Sequence, residues 1–141
     1  PATWVYVPGS LTQGGLLAAI RQGHVFISEH PSGPQLYLTA DADGDGHYEK
    51  MMGDAIEARD GQRLAFRIRC LGAPHARLWL VGDGTILDIL GVDGDDFLHD
   101  FSLEVSGRTY LRAELRDFRG PPDPPQVVLA MTNPIYLAAA D

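Results

Sequence analysis

Apolar and polar residues alternate along most of this chain, and a period of two predicts short β-strands with one buried face. The clearest case is the segment 63–70, where Leu, Phe, Ile and Cys alternate with three arginines and an alanine. Turn signals such as Asp83-Gly84 separate the alternating segments. After a short opening strand at 3–7, the predicted strands from residue 24 onward are 24–29, 35–40, 63–70, 77–81, 85–90, 97–105, 110–116 and 127–131, and residues 135–137 end the domain.

One segment near the start has a helical pattern instead. The apolar side chains within 16–20 share one face at 3.6 residues per turn. Ser10 or Thr12 can cap the first turn by accepting a hydrogen bond from a free backbone N–H, and Gly23 is the expected end. We therefore predict one short N-terminal helix at about 12–22.

Eight or nine short strands with one helix predict a mainly β protein, an antiparallel β-sandwich of immunoglobulin-like architecture. The length of 141 residues fits a single domain over 1–141, and 45% apolar and 21% charged residues are ordinary globular composition. The Pro-rich segment 120–125 is too short to link two cores. The sequence begins with Pro1 rather than Met, so we expect a domain excised from a longer protein, or a processed chain.

The balance of charges limits the kinds of partner that the chain can bind. There are 19 acidic and 11 basic residues, a formal net charge of −8, which disfavours nucleic-acid binding because phosphate contacts need clustered Lys and Arg. Purely apolar stretches reach only about five residues, far below the ~20 that span a bilayer, so no membrane segment is predicted. Cys70 is the single cysteine, which excludes a disulfide framework and a Cys-rich zinc site. We recognise no targeting signal, and the compartment stays open.

The segment 41–49 carries the sharpest motif, with acids at alternate positions and Gly46 at the turn. It matches the first half of an EF-hand loop, but the bidentate Glu expected at position twelve is replaced by Met52, and a strand precedes the loop. We predict at most a weak Ca²⁺ site, with a Kd of about 10⁻⁴ to 10⁻³ M. The alternative is an exposed turn that binds nothing. The candidate ligands are Asp41, Asp43, Asp45, His47 through its carbonyl, Glu49, and Asp54 as a substitute for the missing Glu.

The other polar clusters predict little chemistry. The acids 93–100 are interpreted as a solvated turn, and none of the five histidines forms a close metal-ligand pair. His99 is predicted to be a satisfied core residue and Cys70 a buried, inert thiol. We recognise no nucleophile elbow, P-loop or dinucleotide fingerprint. We therefore predict no catalytic residue and no required cofactor within this chain, and a small enzyme assembled from distant loops is the weakest hypothesis.

A docking face is the other candidate site. Arg112, Glu114 and Arg116 are predicted to project from the outward face of one strand, where arginines suit bidentate contacts. Trp4 and Tyr6 on the opening strand could join this interface. The alternatives are a cross-strand charge ladder for the first three residues and core packing for the two aromatic residues.

Several segments together resemble the C-terminal region of PHP-domain metal-dependent hydrolases, in the CehA/McbA-like branch. They are Thr3–Val7, Leu16–Ser28, Gly53-Asp54, Tyr110–Leu115 and the ending Leu129–Leu137, of which Thr132-Asn133-Pro134-Ile135-Tyr136 is the most specific. In that family the catalytic metals lie in an N-terminal β/α barrel, and none of the barrel's ligand motifs occurs here. The resemblance implies a non-catalytic accessory sandwich whose partner is the catalytic domain of its own parent chain. The alternative is a calcium-stabilised module of an exported protein that binds carbohydrate or a protein partner through the Asp41–Glu49 loop.

Overall fold

The computed structural model describes residues 1–117 and 127–140. Within them the chain forms twelve β-strands and one α-helix, α1 (Gln13–Gln22). The strands are β1 (Ala2–Val5), β2 (Val25–Ser28), β3 (Gln35–Asp41), β4 (Lys50–Met51), β5 (Ala55–Ala58), β6 (Arg63–Leu71), β7 (Arg77–Gly82), β8 (Thr85–Gly91), β9 (Asp96–Glu104), β10 (Tyr110–Asp117), β11 (Val127–Thr132) and β12 (Ile135–Ala139). The predicted Pro-rich loop 120–125 lies outside the described residues.

The strands form two sheets, and the predicted β-sandwich with one short helix is confirmed. The larger sheet has the order β1-β2-β11-β10-β12-β5, with β7 pairing to β10 and β8 pairing to β7. The smaller sheet has the order β4-β3-β6-β9. Alternate side chains from the two sheets meet in one core, and each large apolar side chain buried there contributes about 1.5–3 kcal/mol. The largest fully buried side chains include Leu36, Leu38, Phe66, Ile68, Leu78, Leu111, Leu115 and Ile135.

The helix begins and ends where local signals predict. Thr12 Oγ1 accepts a hydrogen bond from the backbone N–H of Gly15 at 3.0 Å, which satisfies a free donor of the first turn. Gly23 ends the helix in the left-handed conformation, with φ of 75°. Only Ala19 of the helix is buried, and Leu17 and Ile20 remain 44% and 49% exposed. The apolar face of α1 therefore stays largely uncovered.

Two strands arise where the sequence pattern is irregular. The stretch 48–58, predicted as less regular, contains the short strands β4 and β5. Strand β5 pairs in parallel with β12, from Ala55 opposite Tyr136 to Ala58 opposite Ala139, whereas the other described pairings are antiparallel. The larger sheet therefore has one parallel pair at this edge. Strands β5 and β12 are far apart in the chain, so no hairpin forces them to be antiparallel.

Strand β10 organises the larger sheet. One of its edges pairs with β7 over its length, and the other is shared by β11 and β12. The two strands that share an edge are consecutive in the chain and are separated only by Asn133-Pro134, where proline interrupts the run of donors. This interruption places Asn133 at the end of the sheet beside α1, where it contacts Gly23.

Candidate functional site

The acidic loop 42–49 connects β3 to β4 and wraps around one buried carboxylate. Asp41 is the last residue of β3 and is 5% exposed. Its Oδ1 accepts the backbone N–H of Gly44 and its Oδ2 accepts that of Gly46, each at 2.8 Å. The left-handed conformation of both glycines, with φ of 76° and 88°, turns these N–H groups inward.

The remaining acids close the same loop. Asp43 Oδ1 accepts the N–H of Asp45 at 3.2 Å, and Asp45 Oδ1 accepts the N–H of His47 at 2.8 Å. Glu49 Oε1 accepts the N–H of Ala42 at 2.9 Å, which joins the two ends of the loop. Asp41, Asp43, Asp45 and Glu49 each place one carboxylate oxygen in a group whose members lie within 4.8 Å of one another. Four converging carboxylates could hold a metal ion, and oxygen ligands suit hard cations such as Ca²⁺ or Mg²⁺.

The pKa values of two acids in this group, Asp41 and Asp43, are shifted in opposite directions. Burial raises the pKa of Asp41, but hydrogen bonds from the N–H groups of Gly46 and Gly44 outweigh this effect, so the pKa lies below its ordinary value. For Asp43 the N–H of Asp45 lowers the pKa, but burial and the neighbouring carboxylates of Asp45 and Asp41 raise it more, and the net shift is upward. Asp43 therefore experiences the crowding of like charges that a bound cation would relieve.

One predicted side-chain ligand, Asp54, lies apart from the four carboxylates. His47, predicted to bind through its backbone carbonyl, is exposed, and its backbone N–H donates to Asp45. Asp54 is held elsewhere: its Oδ1 lies 2.7 Å from Nε2 of His24, and its Oδ2 accepts the N–H of Met51 at 2.9 Å. The group of four carboxylates does not include Asp54 as the substitute for the missing bidentate Glu.

No pattern in the sequence indicates the junction that surrounds this His24–Asp54 pair. Gly53 has φ of 95°, and a Cβ there would fall 2.3 Å from the carbonyl oxygen of Gly23. The N–H of Gly53 donates to the carbonyl of Pro134 at 2.7 Å, and Nδ2 of Asn133 donates to the carbonyl of Gly23 at 2.9 Å. Three distant segments thus meet at one corner, where only glycine fits at residue 53.

A cleft of about 850 Å³ lies on the outer face of the smaller sheet. Its floor consists of outward side chains of β3 and β6, because the alternate residues of both strands fill the core. The cleft is lined by Tyr6, Tyr37, Thr39, Tyr48, Glu49, Met51, Arg67, Arg69, Leu71, Asp96 and Leu98. The acidic loop borders this cleft, since Tyr48 and Glu49 belong to both.

Two parallel ion pairs cross the cleft between β6 and β9. Arg67 Nε and Nη2 donate to the two oxygens of Asp100 at 2.7 and 2.8 Å. Arg69 Nε and Nη2 donate to those of Asp96 at 3.1 and 2.9 Å. These bonds raise the pKa of each guanidinium and lower the pKa of each carboxyl. Asp96 and Asp100, interpreted from sequence as part of a solvated turn, are therefore paired strand residues.

The predicted docking residues separate into three places. Trp4 packs against the core and stacks on Phe26 with ring centroids 5.7 Å apart, whereas Tyr6 is half exposed and lines the cleft. Arg112 and Arg116 lie on β10, where both donate to Glu114. The structure does not bring the aromatic pair to the arginines.

Glu114 differs most from its predicted outward, open position. It is 3% exposed, because the two arginines cover its carboxylate and Trp79 lies opposite it on β7. Arg116 also places its guanidinium 4.1 Å from the centre of the Trp79 ring. Burial raises the pKa of Glu114, but the hydrogen bonds from Arg112 and Arg116 outweigh it, so the pKa is lowered. The group is a self-contained ion triad rather than an open charge ladder.

The two remaining predictions about single residues concern His99 and Cys70. His99 is half-buried and stacks between Phe97 and Phe101, with centroid distances of 6.3 and 5.6 Å. Cys70 is fully buried, and burial raises the pKa of its thiol to about 11. The thiol therefore stays protonated near neutral pH, as an inert core group does.

No known family model, curated protein or solved structure matches the chain. The resemblance to PHP-domain hydrolases accordingly stays a prediction from the sequence. In the described part of the chain, no helix has the length and apolar content needed to span a bilayer.

Proposed function

We propose that this chain is a non-catalytic accessory β-sandwich that packs beside the catalytic domain of a PHP-type metallohydrolase. The observation that carries the proposal is the junction at the end of the sandwich. Three segments on which the sequence resemblance rests are far apart in the chain, yet Gly23-His24, Gly53-Asp54 and Asn133-Pro134 contact one another there. Their contact supports the proposal, because it makes the segments that carry the resemblance one structural unit of the domain.

The uncovered face of α1 supports a neighbour in the parent protein. Leu17 and Ile20 lie three residues apart on adjoining helical positions, and both remain nearly half exposed. Leu11, just before the helix, is 76% exposed. Exposed apolar side chains that form one patch mark surfaces that a partner covers. We assign this face to the contact with the catalytic domain.

The first test is the natural reading frame that contains this chain. A PHP barrel encoded upstream of Pro1 supports the proposal, and its absence overturns it. The second test assays the purified chain with Mn²⁺, Zn²⁺ and Mg²⁺ on phosphodiester and amide substrates. We expect no turnover, and turnover that is lost in a His24→Gln variant but kept in a His30→Gln variant would contradict a non-catalytic role.

The assigned contact can be tested in the complete protein. Leu17→Glu combined with Ile20→Glu should increase amide hydrogen exchange in the surface of the catalytic domain that α1 covers. Ile86→Glu is the matched control, because Ile86 is similarly exposed but lies on β8, away from the helix. Equal exchange in all three proteins would refute the assignment.

A second candidate function is favoured by the four converging carboxylates: a calcium-stabilised module that binds carbohydrate or a protein partner. Ca²⁺ would be held by Asp41, Asp43, Asp45 and Glu49, and the crowding at Asp43 supports a cation there. At 10 mM Ca²⁺ and a Kd of 10⁻⁴ to 10⁻³ M, binding should add about 1.4–2.7 kcal/mol of stability.

Thermal melting with Ca²⁺ or with a chelator tests this candidate. We expect Tm to rise by several degrees in Ca²⁺. The rise should disappear in Asp45→Asn and persist in Asp95→Asn, a matched change in the exposed loop before β9. An unchanged Tm at 10 mM Ca²⁺ would rule the calcium site out.

A further inference from the structure

We infer that the cleft on the outer face of the smaller sheet binds a neutral oligosaccharide, which stacks on its tyrosines and hydrogen-bonds to its two arginine–aspartate pairs. The inference is independent of the accessory role. Its ligand class rests on the second candidate function. It deepens that function, because it names the place where the ligand binds and the chemistry that recognises it.

The floor of the cleft is a regularly paired part of the smaller sheet. Tyr37 and Thr39 on β3 lie opposite Arg69 and Arg67 on β6 in an unbroken antiparallel register. The residues between them, such as Leu38 and Ile68, are fully buried, so the floor of the cleft packs directly on the core. A ligand at this surface would meet polar groups whose positions are already set, which lowers the entropy lost on binding.

Tyrosine rings supply flat apolar surface around this floor. Tyr48 lies beneath the guanidinium of Arg67, which is 4.2 Å from the ring centre. Tyr6 is 48% exposed, and Tyr37 donates its hydroxyl hydrogen to Oε1 of Gln35 at 2.7 Å. Rings that are apolar on the face and polar at the tip match sugars, which expose C–H groups on one face and hydroxyls at the rim.

The charges of the cleft select a neutral ligand. Each guanidinium already has its own carboxylate, Asp100 for Arg67 and Asp96 for Arg69. Glu49 and Asp96 line the cleft together with both arginines, and Asp100 lies beside it, so the lining has no excess of positive charge, and the whole chain is acidic at −8. Phosphate, sulfate or uronate groups would meet arginines whose charge is already balanced by carboxylates. Hydroxyl groups can instead use the unoccupied lone pairs and N–H groups of both ion pairs.

The size of the cleft agrees with this class of ligand. Its volume of about 850 Å³ lies within the 300–1,000 Å³ usual for small-molecule sites, and it is open along the sheet. An extended chain of sugar rings could lie across β3 and β6 with both ends in solvent. Glu49 also joins the cleft to the acidic loop, where it holds the N–H of Ala42.

The test is titration calorimetry of the intact chain. The probes are hexasaccharides of β-1,4-glucose, β-1,3-glucose, β-1,4-xylose and β-1,4-mannose, with a heparin-derived hexasaccharide as the anionic comparison, each with Ca²⁺ and with chelator. We expect at least one neutral hexasaccharide to bind with a submillimolar Kd and the anionic one to bind at least tenfold more weakly.

Two variants locate the binding. Tyr48→Ala should weaken it at least tenfold, and Arg67→Lys should weaken it because lysine keeps the charge but loses the paired geometry. Tyr136→Ala is the control, since it removes the same ring from an exposed position on β12 of the larger sheet, away from the cleft. Thermal melts of all three variants establish that they are folded.

Several outcomes would overturn the inference. They are no binding across the neutral panel at millimolar concentrations, preference for the anionic hexasaccharide, or equal affinities for Tyr48→Ala and Tyr136→Ala. Ca²⁺ stabilisation without neutral hexasaccharide binding would refute the cleft and leave the calcium site intact. Neutral hexasaccharide binding without a Ca²⁺ effect on Tm would support the cleft and refute the calcium site.

Discussion

Replacing the buried Glu114 by Gln should destabilise the domain more than neutralising any one exposed or half-exposed charge. Its carboxylate accepts four N–H contacts at 2.7 to 3.2 Å, two from Arg112 and two from Arg116. A glutamine keeps one acceptor oxygen, but its NH₂ group would face the donors of one arginine. Both guanidinium groups would then be held close together without a compensating charge.

The magnitude follows from burial. Removing one partner of a fully buried ion pair costs about 3–5 kcal/mol. Here the carboxylate is 3% exposed but the arginine side chains are 26% and 25% exposed, so water recovers part of the loss. We expect about 2–3 kcal/mol for Glu114→Gln, or a fall in Tm of roughly 10 °C. Glu57→Gln removes the same charge from an exposed position on β5 and should change stability by less than about 0.5 kcal/mol.

Urea denaturation between pH 3 and pH 8 supplies the second measurement. The pKa of Glu114 is lowered in the folded state, so its contribution is fully present above the unfolded pKa of about 4.3 and is lost as pH falls through the folded value. The stability difference between the wild type and Glu114→Gln should therefore be constant from pH 6 to 8 and shrink below about pH 4. If Glu114→Gln were as stable as Glu57→Gln at pH 7, the ion triad would not stabilise the fold.

Three further predictions follow from the packing and the charges. Gly53→Ala should lower the free energy of unfolding by at least about 3 kcal/mol, because the new Cβ would meet the carbonyl of Gly23. Gly46→Ala is the control, since Gly46 has the same left-handed backbone in open space, and it should lower the free energy of unfolding by about 1–2 kcal/mol. Urea denaturation midpoints of the two variants test the difference. Cys70 should react with a thiol reagent only on the time scale of unfolding, and rapid labelling of the native domain would contradict its burial. The pKa of Asp43 is raised in the folded state, so stability falls as pH rises through the interval between its unfolded and folded values. Asp43→Asn should therefore make the domain more stable in chelator at pH 7 and insensitive to Ca²⁺, and thermal melts showing a loss of stability in chelator would contradict this sign.

Local signals were enough to predict the helix and most strands. The cap at Thr12 and the left-handed glycine at 23 act within one turn of α1, so its predicted range of 12–22 and the observed Gln13–Gln22 agree closely. The alternation in β6 depends only on successive residues and locates its buried side correctly. Neither feature needs information about the partner strand.

Pairing between distant strands could not be predicted in the same way. Nothing within β5 indicates that it adds in parallel to β12, about 80 residues later, because register is set by the surrounding sheet. Glu114 lies on the side of β10 that faces away from the core, as the alternation of residues predicts, but the alternation does not predict that it is buried. Its burial comes from the arginines on either side and from Trp79 across the sheet, which the alternation does not encode.

The candidate sites show the same difference between local and long-range features. The acidic loop is contiguous in sequence, so the spacing of its acids predicted four carboxylates that do converge. The nearness of Asp54 in sequence predicted a further ligand, but its partner His24 lies 30 residues away. The cleft depends on the register of β3, β6 and β9, and no local pattern around Asp96 or Asp100 indicated that each would meet an arginine.

The distribution of the acid excess connects the two candidate sites. Arg67, Arg69, Arg112 and Arg116 are each paired with a carboxylate, so they do not offset the charge elsewhere. Within the described residues, 1–117 and 127–140, no ion pair includes a carboxylate of the acidic loop. The acids of that loop accept hydrogen bonds from backbone N–H groups instead. A cation bound there would lower the negative potential at Glu49, which lines the cleft. If both sites exist, Ca²⁺ should therefore reduce the discrimination against the heparin-derived hexasaccharide more than it changes the affinity for a neutral one.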